Sequence, residues 1–398
     1  MQRPRIRIPA APRAVPAALA TALAATAAAS TIAWKPTLAP LAQPYARAVA
    51  LADLDRDGDL DIFAASLGAP AAVYLNSLNS TFSPAWTDDV PTSANAVALA
   101  DFDTDGDIDA VLALDDAPPR VLLNNGDGSF TDHPQPHDFP IRALALDVAD
   151  VDADGDLDIV FACEGPNILW LNDGAAIFKP RILPGGDDLT TGLDIGDLDA
   201  DGRLDLFLAN PAAPHVILLG VSDPNDPFID LAIRLPSHTE DAVALADFDH
   251  DGDLDALTSA RLSRGALWQN DSAANFTRLP DRGAHNLLNI AAPLITADLD
   301  HDGDVDLVAP AASEVLLNDG HAAFTVRIPI KDAASAALGD LNTDGDLDLL
   351  LASPVAGPEA ALFFLLAQPC NCPADLDGDG AVTAEDLAAM LLAWGDCE

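Results

Sequence analysis

Asp53-Leu54-Asp55-Arg56-Asp57-Gly58-Asp59-Leu60-Asp61 alternates acids up to a glycine and resumes after it. The same nine-residue form, D-x-[DN]-x-D-G-x-x-D, starts again at Asp101, Asp150, Asp197, Asp247, Asp298 and Asp340. Carboxylates at positions 1, 3 and 5, a glycine allowing a sharp turn at 6, a backbone carbonyl at 7 and a carboxylate at 9 make a set of hard oxygen ligands. Such a set can wrap one calcium ion. Seven copies in one chain exclude coincidence.

The candidate ligand positions follow directly. They are Asp53, Asp55, Asp57, Asp59 and Asp61 in the first loop, and Asp101, Asp103, Asp105, Asp107 and Asp109 in the second. Asp150, Asp152, Asp154, Asp156 and Asp158 form the third, and Asp197, Asp199, Asp201, Arg203 and Asp205 the fourth. Asp247, Asp249, Asp251, Asp253 and Asp255 form the fifth, then Asp298, Asp300, Asp302, Asp304 and Asp306 the sixth. Asp340, Asn342, Asp344, Asp346 and Asp348 complete the set, with Asn342 keeping an oxygen while losing a charge. Arg203 tests position 7. A side-chain ligand there could not become arginine, but a backbone carbonyl is indifferent to its side chain. The fourth loop is therefore expected to bind calcium through the Arg203 carbonyl, more weakly for the charge nearby. His250 and His301, at position 4, read as solvated loop residues.

The chain has 398 residues and a formal net charge of −45, a balance that by itself suggests disorder. Hydrophobic residues make up 49%, however, so a large core is available. More than half of the 64 acids sit in the seven loops, so the acidity is concentrated in the proposed metal sites. No basic stripe exists to release counterions from nucleic acid, and anionic membranes are excluded for the same reason. Residues 1–29 read as an export signal: Arg3, Arg5, Arg7 and Arg13, an alanine-rich apolar run, then Ala27-Ala28-Ala29 as a small-residue cleavage site. No other apolar run is long enough to span a bilayer. Secretion to the cell surface or beyond would also supply calcium at millimolar levels.

The loop starts are 42–51 residues apart, a period that points to propeller blades. A small-residue strand such as Arg47–Ala52 enters each loop, and a second such as Leu60–Phe63 leaves it. A third strand then runs into an Asn-Gly or Asp-Gly hairpin and a fourth, as in Val121–Phe130, Leu169–Phe178 and Val315–Phe324. Four strands per unit and seven units predict an all-β, seven-bladed β-propeller. The last unit runs from its third strand, Ala361–Leu366, straight into Cys370 and lacks a fourth. The segment Ile32–Pro40 resembles the strand around Phe178 and is expected to complete that blade and hide its edge.

These units resemble FG-GAP/VCBS repeats, the calcium-loop blades of integrin α-chains and many secreted bacterial proteins. The resemblance covers roughly residues 32–367 and implies the fold and the metal. It implies no single activity, since the family spans adhesion modules, lectin-like domains and accessory domains of polysaccharide-degrading enzymes.

A different module follows. Asp375, Asp377 and Asp379 occupy positions 1, 3 and 5 of a twelve-residue loop, with Gly380 at 6, the carbonyl of Ala381 at 7, Thr383 at 9 and Asp386 at 12. Leu387, Met390, Leu391 and Trp394 then form one apolar stripe on a short helix. The tail resembles half a dockerin, close to the single-loop tails of planctomycete-type exported proteins. That likeness implies a small α-helical EF-hand module, an eighth calcium and attachment to a cohesin-like or cell-surface partner. True dockerins carry two such repeats. Cys372 and Cys397 bracket loop and helix, where a bridge would staple a module too small to hold itself together; the spacing does not decide whether Cys163 and Cys370 pair. The expected layout is a leader over 1–29, a propeller over 30–368 and the tail over 369–398.

No catalytic constellation emerges: there is no H-E-x-x-H, no G-x-S-x-G, no Cys-His pattern and no phosphate loop. His133, His137, His215, His238, His285 and His321 are scattered over different units. Tyr74, Trp170 and Trp268 occupy equivalent third-strand positions and read as core, leaving Trp86 as the freer aromatic for a sugar face. Asn79, Asn270 and Asn275 begin N-x-[ST] triplets. The reading is a secreted or cell-surface calcium-binding scaffold for an extracellular protein or glycan. The alternative is a glycan-binding or lyase-like, polysaccharide-degrading propeller.

Overall fold

A computed structural model describes residues 33–36, 41, 43, 45–77, 81–115, 117–136, 141–236, 240–260, 265–279, 294–324, 326–330, 333–352 and 362–368. All belong to one unit, Ile32–Glu398, distinct from Met1–Thr31. The expected leader and tail, with Asp375, Asp377, Asp379, Ala381, Thr383 and Asp386, lie outside the described residues. Those residues are all-β and contain no α-helix; one 3-10 turn covers Pro310–Ala312. No helix among them is long and apolar enough to cross a membrane.

The strands form five four-stranded sheets and one eight-stranded sheet, all antiparallel. The third loop shows the recurrent unit: Ala143–Ala149 enters, Asp158–Cys163 leaves, and Ile168–Leu171 and Lys179–Ile182 follow in order. The eight-stranded sheet is two such units, starting at Ala46 and Thr92, fused where Asp61–Ala69 pairs Thr92–Ala100 through Leu67↔Ser93 and Ala69↔Thr92. Strand character follows from the residues. The second strands are largely buried and mostly apolar, such as Asp158-Ile-Val-Phe-Ala-Cys163, while the fourth are more exposed, such as Lys179-Pro-Arg-Ile182. Each unit is thus a propeller-like blade, buried inside and wet at its rim.

The hydrophobic core lies between sheets rather than within them. Phe102, Val111 and Val121 of the second unit pack with Phe161, Trp170 and Phe178 of the third, and Leu206, Val216 and Phe228 of the fourth pack on Val160 and Leu169 of the third. One cluster joins the last unit to the first, placing Leu341, Leu350 and Leu362 against Val49, Ile62 and Tyr74. A lone four-stranded sheet cannot bury its faces; stacking against neighbours does so.

The N-terminal strand Ala33–Pro36 pairs antiparallel with Leu362–Gln368, in register Ala33↔Gln368 to Pro36↔Leu365. It supplies the fourth strand that the last unit lacks, as its sequence suggested. Two acids were not foreseen. Asp147 and Asp194 stand on first strands where other units have Ala50, Ala98, Ala244 and Ala337. Asp194 accepts from its own neighbour Ile195 N (2.8 Å) and from Leu245 N (2.7 Å) on the next sheet. Asp147 likewise accepts from Val148 N and Ile195 N, so each staples its sheet to the next. Burial lifts Asp147 to about 6 and Asp194 to about 7, the latter also feeling Asp147.

Candidate metal centre

All seven acidic loops adopt one conformation. Position 6 is glycine with φ between 85° and 99°. Position 4 is also left-handed in every copy, at Arg56, Thr104, Ala153, Ala200, His250, His301 and Thr343, with φ between 57° and 63°. Sequence offered little signal for the second feature, because apart from the two histidines none of these residues favours that region. The cost is met by side-chain caps: Asp150 accepts Asp154 N and Gly155 N at 3.1 Å each, and Asp154 accepts Asp156 N at 3.0 Å.

Position 9 serves as a clamp. The carboxylate of Asp158 accepts Val151 N (3.0 Å) from position 2 and Asn172 N (2.8 Å) from the end of the third strand. Asp61, Asp109, Asp205 and Asp306 hold the corresponding pairs. These acids are buried, and desolvation lifts Asp61 and Asp205 to about 6 and Asp109, Asp158, Asp255 and Asp306 to about 7 despite those amide bonds. Position 2 buries Leu54, Phe102, Val151, Leu198, Phe248, Leu299 or Leu341 beneath the loop.

The remaining oxygens converge. In at least five loops three carboxylates bring oxygens within 4.8 Å of one another, for example Asp101, Asp103 and Asp109, or Asp247, Asp249 and Asp251. The Oδ1 atoms of Asp101, Asp247, Asp249 and Asp298 are buried without a hydrogen-bond partner. Burial and the adjacent position-5 charge raise Asp55, Asp103, Asp152 and Asp249. Buried acceptors that repel one another and lack donors fit a hard divalent cation.

The loops are also tied to neighbouring sheets. Asn124 Nδ2 donates to Leu54 O of the preceding loop (2.9 Å) and to Ile108 O of its own (3.1 Å), and Asn76 reaches Leu341 O (3.0 Å) across the junction of last and first units. Position-4 side chains reach the position-7 acid of the next loop: Arg56 to Asp107 (2.6 Å), His250 to Asp304 (2.6 Å) and His301 to Asp346 (3.1 Å). The two histidines are exposed, as expected, and each also bridges to the next loop. The hairpin glycines Gly126, Gly174 and Gly320 lie against the position-7 carboxylates of their own sheets, where a Cβ would come within 3.0, 2.7 and 2.7 Å of an oxygen.

The fourth loop departs from this plan. Arg203 turns its guanidinium onto the Asp201 carboxylate and donates from Nε to Gly220 O (3.1 Å). Asp197, Asp199 and Asp205 still converge; burial and the Asp201 charge raise Asp199, with the Arg203 charge opposing them.

Tyr74, Trp170 and Trp268 are core residues. Trp86 is no free platform, because its ring packs on Phe130 and Phe63 at centroid distances of 5.4 and 6.2 Å. Asn270 is buried, with its amide donated to Leu198 O, which removes it as a glycosylation acceptor; Asn275 is exposed. His215 is buried against Phe207. Cys163 is a buried free thiol whose pKa burial pushes up to about 12. A groove of ≈ 540 Å³ on the second unit is lined by Thr92, Asp115, Arg120, Asp132, His133 and Gln135. There Arg120 is held between Asp88 (2.5 Å) and Asp132 (2.8 Å).

The FG-GAP-like repeat family matches residues 53–112, 101–161 and 150–208, so the chain carries three FG-GAP-like repeats spanning its first four acidic loops. Among solved structures, the chain is similar to the BP39L lectin from Burkholderia pseudomallei, with a TM-score of 0.63 and 12% identity over 82% of this chain and 97% of that one. It is also similar to BBS1N in complex with ARL6DN, at TM-score 0.58 and 13% identity over 85% and 98%. An Agrocybe aegerita lectin that recognises non-reducing terminal N-acetylglucosamine matches at TM-score 0.50 and 18% identity over 72% and 80%. At these identities the likeness is one of fold. No curated protein matches the chain.

Proposed function

We propose that this protein is a secreted or cell-surface binding scaffold: a closed, seven-bladed propeller over residues 30–368, stabilised by calcium in its acidic loops. One observation carries the reading. The same loop is built seven times; in at least five copies its carboxylates converge, and several of their buried oxygens meet no protein donor. Positions 1, 3, 5 and 9 would supply side-chain oxygens and position 7 its carbonyl; the bound ion would neutralise mutually repelling acids. The seven-bladed assignment draws support from the core clusters shared between successive sheets and from the contact of last with first. The leader over 1–29 and the tail over 369–398, with its own calcium and an attachment role, complete the proposal. Glycan binding is the second reading, supported by the lectin folds and by the polar groove around Arg120 and His133.

A ligand that binds only the folded chain stabilises it by roughly 2.7 kcal/mol per site at a hundredfold excess over Kd. Calcium is therefore expected to raise the melting temperature by many degrees over that in excess chelator. An unchanged melt ends the calcium reading. An oligosaccharide array run beside a polysaccharide-degradation assay separates the scaffold from the glycan reading.

A further inference from the structure

We infer that Arg203 is a tethered counter-charge that takes the place of the divalent ion in the fourth loop, leaving that loop indifferent to calcium while the others respond. The inference rests on the calcium reading of the other loops. A guanidinium stays charged at every relevant pH and offers five donors but no acceptor. Lying on Asp201, it occupies the position-5 carboxylate. It also holds a positive charge where a divalent ion would approach.

The surroundings are built for it. Where other sheets place Asn76, Asn124, Asn172, Asn270 and Asn318, the fourth has Gly220. A Cβ there would stand 2.5 Å from the backbone oxygen of Leu204 and 3.0 Å from the Arg203 Cβ, so as the strands lie here position 220 has no room for a side chain. The Gly220 carbonyl in turn accepts the Arg203 Nε. The tight glycine hairpin that seats the position-7 carboxylate in the second, third and sixth sheets is replaced by a longer turn, closed by Val221 N to Pro227 O at 2.7 Å. The fifth loop provides the contrast. Gln269 donates to Asp249 (2.7 Å), but an amide can rotate its own oxygen toward a cation, and a guanidinium cannot.

Hydrogen exchange on the full chain, in calcium and in excess chelator, tests this. Calcium is expected to slow exchange across 53–61, 101–109, 150–158 and the later loops while leaving 197–205 unchanged. In Arg203→Asp, which restores the repeat, calcium should slow 197–205 as well. Slowing of 197–205 in the unmodified chain to the extent seen in the other loops overturns the inference. In chelator, Arg203→Asp and Arg203→Asn should each speed exchange of 197–205 about tenfold, the loss of one charge-assisted contact; an unchanged rate also overturns it. If calcium slows no loop at all, the calcium reading fails. The chelator comparison then decides the role of Arg203 alone: faster exchange upholds the counter-charge, and an unchanged rate refutes it.

Discussion

Asp158 combines two duties that its sequence position did not separate. As position 9 of a metal loop it reads as a ligand, yet both of its oxygens already hold backbone amides that join the start of the loop to the end of the third strand. An asparagine would keep the shape but turn a donor toward one of those amides. Asp158→Asn is therefore expected to lose about 2–3 kcal/mol even in chelator. Asp154→Asn, at an exposed position 5, should change stability by no more than about 0.5 kcal/mol under the same conditions. Urea unfolding of the two variants in chelator makes the comparison. Equal losses would mean that position 9 contributes only through metal.

Among the described residues, the strand Ala33–Pro36 is the fourth strand of the last sheet and covers the edge of Leu362–Gln368. An open edge is a template for pairing with another chain. Removing residues 30–40 is expected to lower the melting temperature and to produce dimers or larger species by light scattering. Removing 370–398 should leave both quantities unchanged. Equal behaviour of the N-terminal truncation and the intact chain would show that the edge is covered in another way. The asparagine ties act on the same junctions. Asn124→Ala leaves the Leu54 and Ile108 carbonyls without their donor and is expected to cost about 1–2 kcal/mol in the same unfolding assay.

Charge couples the blades to pH. The position-9 acids Asp61, Asp109, Asp158, Asp205, Asp255 and Asp306, with Asp147 and Asp194, are lifted by burial from the usual 3.8 to about 6–7. The folded state thus binds more protons than the unfolded state between pH 4 and 7, and stability falls as pH rises through that window. In chelator the melting temperature is expected to be higher at pH 5 than at pH 8. Calcium, which favours the ionised loops, should remove or reverse that slope. A metal-free chain whose melt is flat from pH 5 to 8 would refute the account.

The sequence by itself determined the repeat, the strand order within each unit, the acids that face one another in the loops and the strand that completes the last sheet. These are local or periodic properties: alternation, glycine at a required turn, an apolar run of strand length. Only the tertiary structure decided what depends on a neighbouring blade or a distant strand. The second duty of Asp158, the bridges from His250 and His301, the packing of Trp86 and the burial of Asn270 all belong to that group. So does the turn of Arg203 onto Asp201, since its Nε is held by the carbonyl of Gly220, 17 residues away along the chain but adjacent in the sheet.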